Sequence, residues 1–290
     1  MDLLSFINFY LVPGIVLGAI YSLGAIGITL VFGVLRFAHL AHGDLATMGA
    51  FLVLALVAGV GMNPWVALPV SMAATAGLAV ALHWLFYEHL RRRSAILTVI
   101  ASLGVALMLR AVVQVAWGVD SQSYVGGITR PESYFGIRVK DREIWTLAAT
   151  AALVVGLQLF LTFTRWGKAM RAMSDNPDLA RLSGIDTRLT TALTWIIIGI
   201  LSAAAGFFLG INTELKSLMG WYMLLPMFAA AILGGVGRIE GAVLGGMVIG
   251  IAEECSVLFL PSEYKSALAF AILLLMLAVK PTGLLRGKVL

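Results

Sequence analysis

Charge is what this chain has least of. Aspartate, glutamate, lysine and arginine make up 12% of its 290 residues, about half of the roughly 25% usual in soluble domains. The side chains that would keep a soluble surface wet are therefore missing, while 60% of the residues are hydrophobic. Lipid must be the solvent for most of the chain. Cysteine is scarcer still. Cys255 stands alone, which excludes an intrachain disulfide. No polar stretch is long enough for a second, soluble domain, so residues 1–290 read as one transmembrane domain. The start, Met1-Asp2, is acidic. A basic leader region and a small-residue cleavage site are both missing, so the first apolar run reads as a span rather than a cleaved signal.

Motifs for chemistry are missing too. The sequence has no G-x4-G-K-[ST] phosphate loop, no G-x-S-x-G nucleophile elbow and no H-E-x-x-H zinc helix. His39 and His42 lie near each other, but no Cys/His cluster supplies the further ligands a metal needs. The expectation is a chain with no catalytic residue, no metal and no bound cofactor, whose energy comes from a partner or a gradient.

What is present is a series of apolar runs, each near the roughly 20 residues a span requires. They are Tyr10 to Leu35, Leu45 to Val60, Trp65 to Tyr87, Ala95 to Trp117, Ile144 to Phe163 and Leu189 to Ile211, followed by the shorter Met223 to Leu233, then Ala242 to Leu260 and Ser266 to Val279. The fold class expected is an all-α, polytopic transmembrane helical bundle with broken helices and an internal repeat.

The formal charge is +5, and the basic residues gather at the ends of apolar runs. That pattern fits the positive-inside rule rather than a nucleic-acid partner. Arg91-Arg92-Arg93, the group Arg165, Lys168, Arg171, Arg181 and Arg188, and the group Lys280, Arg286 and Lys288 mark the cytoplasmic side. Alternation then puts Met1 outside and Arg36 inside, with about nine crossings. Residues 118–143, with Gly126-Gly127 and Pro131, fall outside as a mouth cap or a solvated connector.

Two stretches share the spacing G-x5-G-A: Gly43 to Ala50, and Gly235 to Ala242. Glycine-interrupted apolar segments in corresponding places point to a substrate path, because broken helices survive in lipid only where protein or a watery cavity satisfies the backbone. Close helix packing on small residues explains the same glycines equally well. The candidates on these grounds are His42, Gly43, Asp44, Gly49, Gly234, Gly235, Gly237 and Gly241. His42 and Asp44 are expected at the cytoplasmic end of the first broken segment, as a helix cap or an interhelical hydrogen bond before a substrate contact.

Intramembrane charge is costly and faces a cavity or a partner. That singles out Arg110, with Gln114 one turn on, and Glu253. Snorkelling to the outer interface is the other reading of Arg110. Glu253 or Glu254 is expected to pair with Arg110 or Lys265. Arg238 and Glu240 flank the glycine-rich stretch as a solvated turn.

The segment from about 165 to 188 carries the clearest punctuation. A first short helix is expected from about Gly167 to Met173. A second follows, with Asp175 or Asn176 as N-cap, Pro177 at the first position, Asp178 where the helix dipole favours negative charge, and Gly184 as the left-handed stop. Met173, Leu179 and Leu182 would give it an apolar face. Such a helix either docks into a partner's groove or lies on the bilayer.

Four regions of the chain are familiar together. They are Tyr21 to Gly27 leading into Val31-Phe32-Gly33-Val34; Ala41-His42-Gly43-Asp44-Leu45 with Gly49-Ala50; the capped loop ending at Ser183-Gly184-Ile185; and Ala231 to Gly237 followed by Gly241-Ala242, Gly245-Gly246 and Pro281-Thr282-Gly283. In this order, over about Gly14 to Leu285, the chain resembles the permease subunits of branched-chain amino acid ABC importers of the high-affinity type. One departure is that His39-Leu40 stands where the family often has Asn and an aromatic.

The resemblance implies a heterodimer with a second, related permease. It also implies two ATPase subunits that carry ATP and Mg on the cytoplasmic side, and a periplasmic or surface-tethered solute-binding protein. The expected location is the bacterial inner membrane. Residues Met173, Asn176, Pro177, Leu179, Ala180, Leu182 and Gly184 would then belong to the coupling helix on which an ATPase docks. The family also includes importers of urea, amides and aromatic acids. The alternative reading is a stand-alone, ion-coupled secondary transporter or channel, with His42, Asp44 or Glu253 as ion ligands.

Overall fold

Lipid offers no hydrogen bonds to the backbone, so apolar runs of this length must close their N–H and C=O groups on themselves as helices. The computed structural model describes residues 2–90, 94–124, 131–134, 136–280 and 282–285. Arg91-Arg92-Arg93, Gly126-Gly127, Pro281, Arg286 and Lys288 lie outside the described residues.

Every apolar run is a helix. The order is α1 Leu3–Leu35, α2 His42–Val60, α3 Pro64–Leu90, α4 Ala95–Trp117, strands β1 Glu132–Tyr134 and β2 Ile137–Val139, α5 Asp141–Phe163, α6 Arg165–Asp175, α7 Pro177–Leu182, α8 Thr187–Asn212, α9 Met219–Gly234, α10 Ile239–Ser256 and α11 Lys265–Val279. Six of these (α1 to α5 and α8) are long and apolar enough to cross a bilayer, and α9 and α11 are shorter apolar helices. The chain is an all-α bundle with, among the described residues, a small antiparallel hairpin, in which Glu132 pairs with Val139 and Tyr134 with Ile137.

Loop contacts sort the helix ends into two groups. At one end, Asn8 holds the hairpin, donating to the Gly136 carbonyl at 3.1 Å and accepting from the Arg138 N–H at 2.8 Å. Gln122 and Leu215 exchange backbone hydrogen bonds at the same end. We call this the hairpin end. At the other, the Arg36 guanidinium donates to the Asp175 carbonyl at 3.4 Å, and Gln158 donates to Glu240 at 2.7 Å. This is the basic end, where α6 and α7 lie.

The bundle contains an internal repeat, and it is inverted. Helix α1 packs on α10 as α8 packs on α3, α2 packs on α3 and α4 as α9 packs on α10 and α11, and α2 and α9 meet each other. The first four helices thus correspond to α8 to α11, with the opposite direction through the bundle and α5 to α7 inserted between the halves. The repeat register differs from the G-x5-G-A pairing. It matches Arg36 with Thr213, which end α1 and α8, and His42 with Met219, which begin α2 and α9. The intervening linkers, residues 36–41 and 213–218, are of equal length.

Small residues bring the paired helices together. Gly14, Gly18 and Ser22, one turn apart on α1, face the backbone of Gly246, Met247, Gly250 and Ile251 on α10. Ser22 Oγ also donates to the Val243 carbonyl at 3.1 Å. Packing of this kind takes the place of the hydrophobic effect, which has no purchase between helices in lipid. The turn between α2 and α3 follows its local sequence. Gly61 takes a positive φ of 72° to end α2, and Asn63 Oδ1 accepts from the Trp65 N–H at 3.0 Å to start α3, with Pro64 at the first position.

Candidate functional site

Helix α1 has 33 residues, about 50 Å of helix, and reaches the basic end. There Arg36 adopts a left-handed φ of 61° and residues 36–41 turn back into the bundle outside any helix. Protein groups satisfy this irregular stretch. Ser102 Oγ on α4 accepts from the Leu40 N–H at 3.0 Å, and His39 Nε2 lies 3.0 Å from the Tyr87 hydroxyl. Helix α2 then begins in the interior. His42 sits beside Gly27 and Ser202, whose Oγ is 3.4 Å from Nδ1. Ser202 lies about 15 Å of helix from the end of α8 at Asn212. His42 and Asp44 are therefore at mid-depth and not at the cytoplasmic end, because residues 36–41 carry the chain back inward before α2 starts.

The second half does the same from the other side. Residues 213–218 fold back from the hairpin end, with Leu215 and Ser217 buried, and α9 begins at Met219. The backbones of Gly43 and Gly220 abut. Thr47 Oγ1 accepts from the Gly220 N–H at 2.9 Å. Two helix N-termini, each carrying about half a positive charge, thus meet inside the bundle.

Asp44 in the first turn of α2 answers that charge. Its carboxylate, 1% exposed, takes a two-pronged ion pair from Arg110, with Nε to Oδ1 and Nη2 to Oδ2 both at 3.0 Å. The Arg110 guanidinium also lies 4.9 Å from the Trp221 ring centroid on α9. Gln114 donates to Ser217 Oγ at 3.4 Å. Arg110 and Gln114 therefore tie α4 to both broken segments. Of the pairings expected for Glu253 and Glu254, the one between Glu254 and Lys265 forms and none forms with Arg110. Arg110 takes Asp44, Lys265 takes Glu254 at 2.7 Å, and Glu253 accepts from the Tyr21 hydroxyl at 2.8 Å.

The other glycines have different duties. Gly49 lies within α2 and packs on Ala203, away from the break. Gly235 and Gly237 form the turn from α9 to α10 at the basic end and not a mid-depth break, and Gly234 and Gly241 abut in the two helix ends beside it. Gly235 and Gly237 reverse the chain with φ of 107° and 92°, and the Leu285 N–H donates to the Gly234 carbonyl at 3.2 Å. The second break is 213–218, which contains no glycine or proline. Thr47, Ser102 and Ser202 escaped as candidates, their one signal a hydroxyl inside an apolar run, and Tyr21 entered only as the start of a family motif.

Among the described residues, the cavities recessed into the bundle include three. One of about 580 Å3 lies at the hairpin end between α1, α10, α11 and residues 213–216, with Glu253 in its wall. One of about 430 Å3 lies at the basic end against Arg36, His83, Tyr87, Asp178 and Arg181. A smaller one of about 210 Å3 lies between Gly33, Gln158, Arg171, Ser174 and Arg238.

Helices α6 and α7 cover the basic end. Asn176 Oδ1 caps α7, accepting from the N–H groups of Asp178 and Leu179 at 3.1 and 3.0 Å, and Gly184 ends it with a φ of 82°. Leu179 and Leu182 are 60% and 85% exposed. Met173 and Ala180 are buried, so they root the loop in the bundle and cannot join Leu179 and Leu182 on an outward face.

The chain is similar to known permeases over nearly its full length. The family model described as "Branched-chain amino acid transport system / permease component" matches residues 10–277. The high-affinity branched-chain amino acid transport system permease protein LivH of Escherichia coli K12 is 31% identical, over 94% of this chain and 93% of that protein. The corresponding BraD of Pseudomonas aeruginosa is 30% identical, over 95% and 94%. Among solved structures, PsaBC from Streptococcus pneumoniae in complex with Fab superposes with a TM-score of 0.55 at 15% identity, covering 96% of this chain and 92% of that one. That likeness concerns the fold alone. An inverted repeat of membrane-crossing helices, two breaks meeting at mid-depth and a family match along nearly all its length lead to one conclusion: this chain is a multi-pass membrane protein and belongs to the family of branched-chain amino acid transport system permease components.

Proposed function

We propose that the whole chain forms one permease domain of an ABC importer that moves branched-chain amino acids across a bacterial inner membrane. In this reading it pairs with a second, related permease. Two ATPase subunits bind ATP and Mg and dock at the basic end, which is cytoplasmic. A solute-binding protein delivers its cargo at the hairpin end. The permease itself binds no cofactor and catalyses no reaction. ATP-driven closure of the ATPase pair pushes on α6 and α7, and the inverted halves rock about the junction of Gly43 and Gly220.

The observation that carries this reading is α7. Two leucines stand exposed on a short helix whose ends are capped, while Met170 and Met173 anchor the preceding helix in the core. A stiff element with an apolar tip and a buried root suits the transmission of a push.

The test is the pair Leu179→Asp with Leu182→Asp. Both side chains are exposed, so the fold should be unchanged within about 0.5 kcal/mol. Loss of an apolar anchor from a docking groove costs about 2 kcal/mol or more. The expected result is normal amounts of protein in the membrane, loss of co-purifying ATPase and a fall in leucine uptake of about tenfold or more. Pro177→Ala alone should be mild, because the Asn176 cap remains. Uptake at the wild-type rate by the double variant would remove α7 from the coupling role.

A further inference from the structure

The cavity at the hairpin end has an unusual wall. Glu253 is 2% exposed, near the C-terminal end of α10. Oε2 accepts from the Tyr21 hydroxyl at 2.8 Å, which fixes the carboxylate, but Oε1 has no hydrogen-bond partner among the described residues. An unmet buried acceptor in such a place is among the more costly features a fold can carry. The neighbouring charges are already engaged. Lys265 is committed to Glu254 at 2.7 Å. Glu214 accepts from Ser121 Oγ at 2.6 Å and lies 3.6 Å from Lys216, and these contacts hold its carboxyl below the usual range. Glu253 is thus the carboxyl of this cavity with an oxygen left unanswered.

The rest of the lining says what would answer it. Leu17, Leu209 and Met223 give apolar walls, and Ser262 and Ser266 supply hydroxyls beside Lys265. A calcium ion would want six to eight oxygen ligands and magnesium an octahedral shell, which Glu253 and a Glu214 already held by Ser121 and Lys216, with two lysines in the same lining, do not offer. A primary ammonium needs one strong acceptor, and a branched aliphatic side chain on the same molecule needs the apolar wall. The volume of about 580 Å3 lies within the range of about 300–1,000 Å3 typical of small-molecule sites.

We propose that this cavity is an amino-acid subsite within the permease, in which Glu253 Oε1 receives the substrate's α-ammonium, Tyr21 positions the Glu253 carboxyl, and the Ser262 and Ser266 hydroxyls face the substrate's α-carboxylate. The proposal rests on the amino-acid reading of the preceding section and adds to it that the permease, and not only a delivering protein, recognises its cargo.

The experiment uses proteoliposomes containing the permease with its co-purified partner subunits and a binding protein saturated with L-leucine. The readout is leucine delivered per ATP hydrolysed, with the amounts of co-purified ATPase and bound binding protein measured alongside so that a fault in folding or docking is seen separately. Glu253→Gln keeps the shape and removes the charge. A charged hydrogen bond is worth enough for a fall of about tenfold in that ratio. Ser266→Trp, at the cavity rim with Glu253 intact, should lower it in the same direction, and it carries the test if Glu253→Gln does not fold. Wild-type ratios in both variants would overturn the subsite and leave the importer reading standing. A wild-type complex that hydrolyses ATP yet delivers no amino acid would instead sink the amino-acid reading, and the subsite with it.

Discussion

Replacing Arg110 by alanine is expected to lower the melting temperature of the detergent-purified protein by about 10 °C. Breaking a buried ion pair by removing one partner costs about 3–5 kcal/mol, and each kcal/mol is worth about 2–4 °C in a protein of this size. The residue left behind decides the size of the effect. Asp44 is 1% exposed, its side chain is short, and it cannot reach water from mid-depth. The two helix N-termini beside it return only about 1–2 kcal/mol.

Asp44→Ala should be milder, with roughly half the shift. Arg110 is 15% exposed, sits on the Trp221 ring, and has a long stem that can extend toward the hairpin end. The double variant should melt above Arg110→Ala, since no charge is then stranded. Arg110→Lys should not rescue fully, because an ammonium cannot make both bonds of the fork. The measurement is the fraction of protein remaining monodisperse on size exclusion after a heating series. If Arg110→Ala melts within about 2 °C of the wild type, the pair is not what holds the two breaks together.

This pair also marks the limit of what the sequence discloses. Arg110 is recognisable as a charge inside an apolar run, and so is the cost of leaving it alone. Its partner is 66 residues away, and nothing local distinguishes Asp44 from Glu253 as the answer. The α6–α7 loop was legible down to its N-cap, proline and terminal glycine because its hydrogen bonds close within a few residues. The nine apolar runs were legible for a similar reason, since a helix in lipid satisfies itself.

The breaks were half legible. The first lies next to the His42-Gly43-Asp44 turn, although its depth depends on how far residues 36–41 run back along α4. The second, Thr213-Glu214-Leu215-Lys216-Ser217-Leu218, looks like an ordinary polar connector. What makes it a break is Gln122 pairing with Leu215 and Thr47 receiving the Gly220 N–H, both long-range contacts. The matching spacing at Gly235 to Ala242 misled because glycine serves a chain reversal there and a close helix approach at Gly43.

That double use of glycine leads to opposite expectations for one and the same substitution. Gly77→Ala, on α3, adds a methyl group into open space, with nothing within 4 Å of the new Cβ. Removing the backbone freedom of a helical glycine is worth about 0.5–1 kcal/mol, so this variant should melt slightly above the wild type. Gly220→Ala adds the same methyl group against the Gly43 carbonyl, with Thr47 Oγ1 on the other side. Neither neighbour is the free end of a flexible side chain, so α2 and α9 must separate. The Gly220 N–H then draws away from Thr47, and the gain in propensity is outweighed by overpacking of about 1–3 kcal/mol together with a weakened buried hydrogen bond of about 1 kcal/mol. The melting temperature should fall by about 5–10 °C. Leucine uptake per membrane-inserted copy should fall with it, because the displaced contact is the one about which the two halves are proposed to move. If Gly220→Ala instead behaves like Gly77→Ala in both assays, the close approach of the two helix N-termini is not needed for folding or transport, and the pivot must be sought in the α1–α10 and α8–α3 contacts.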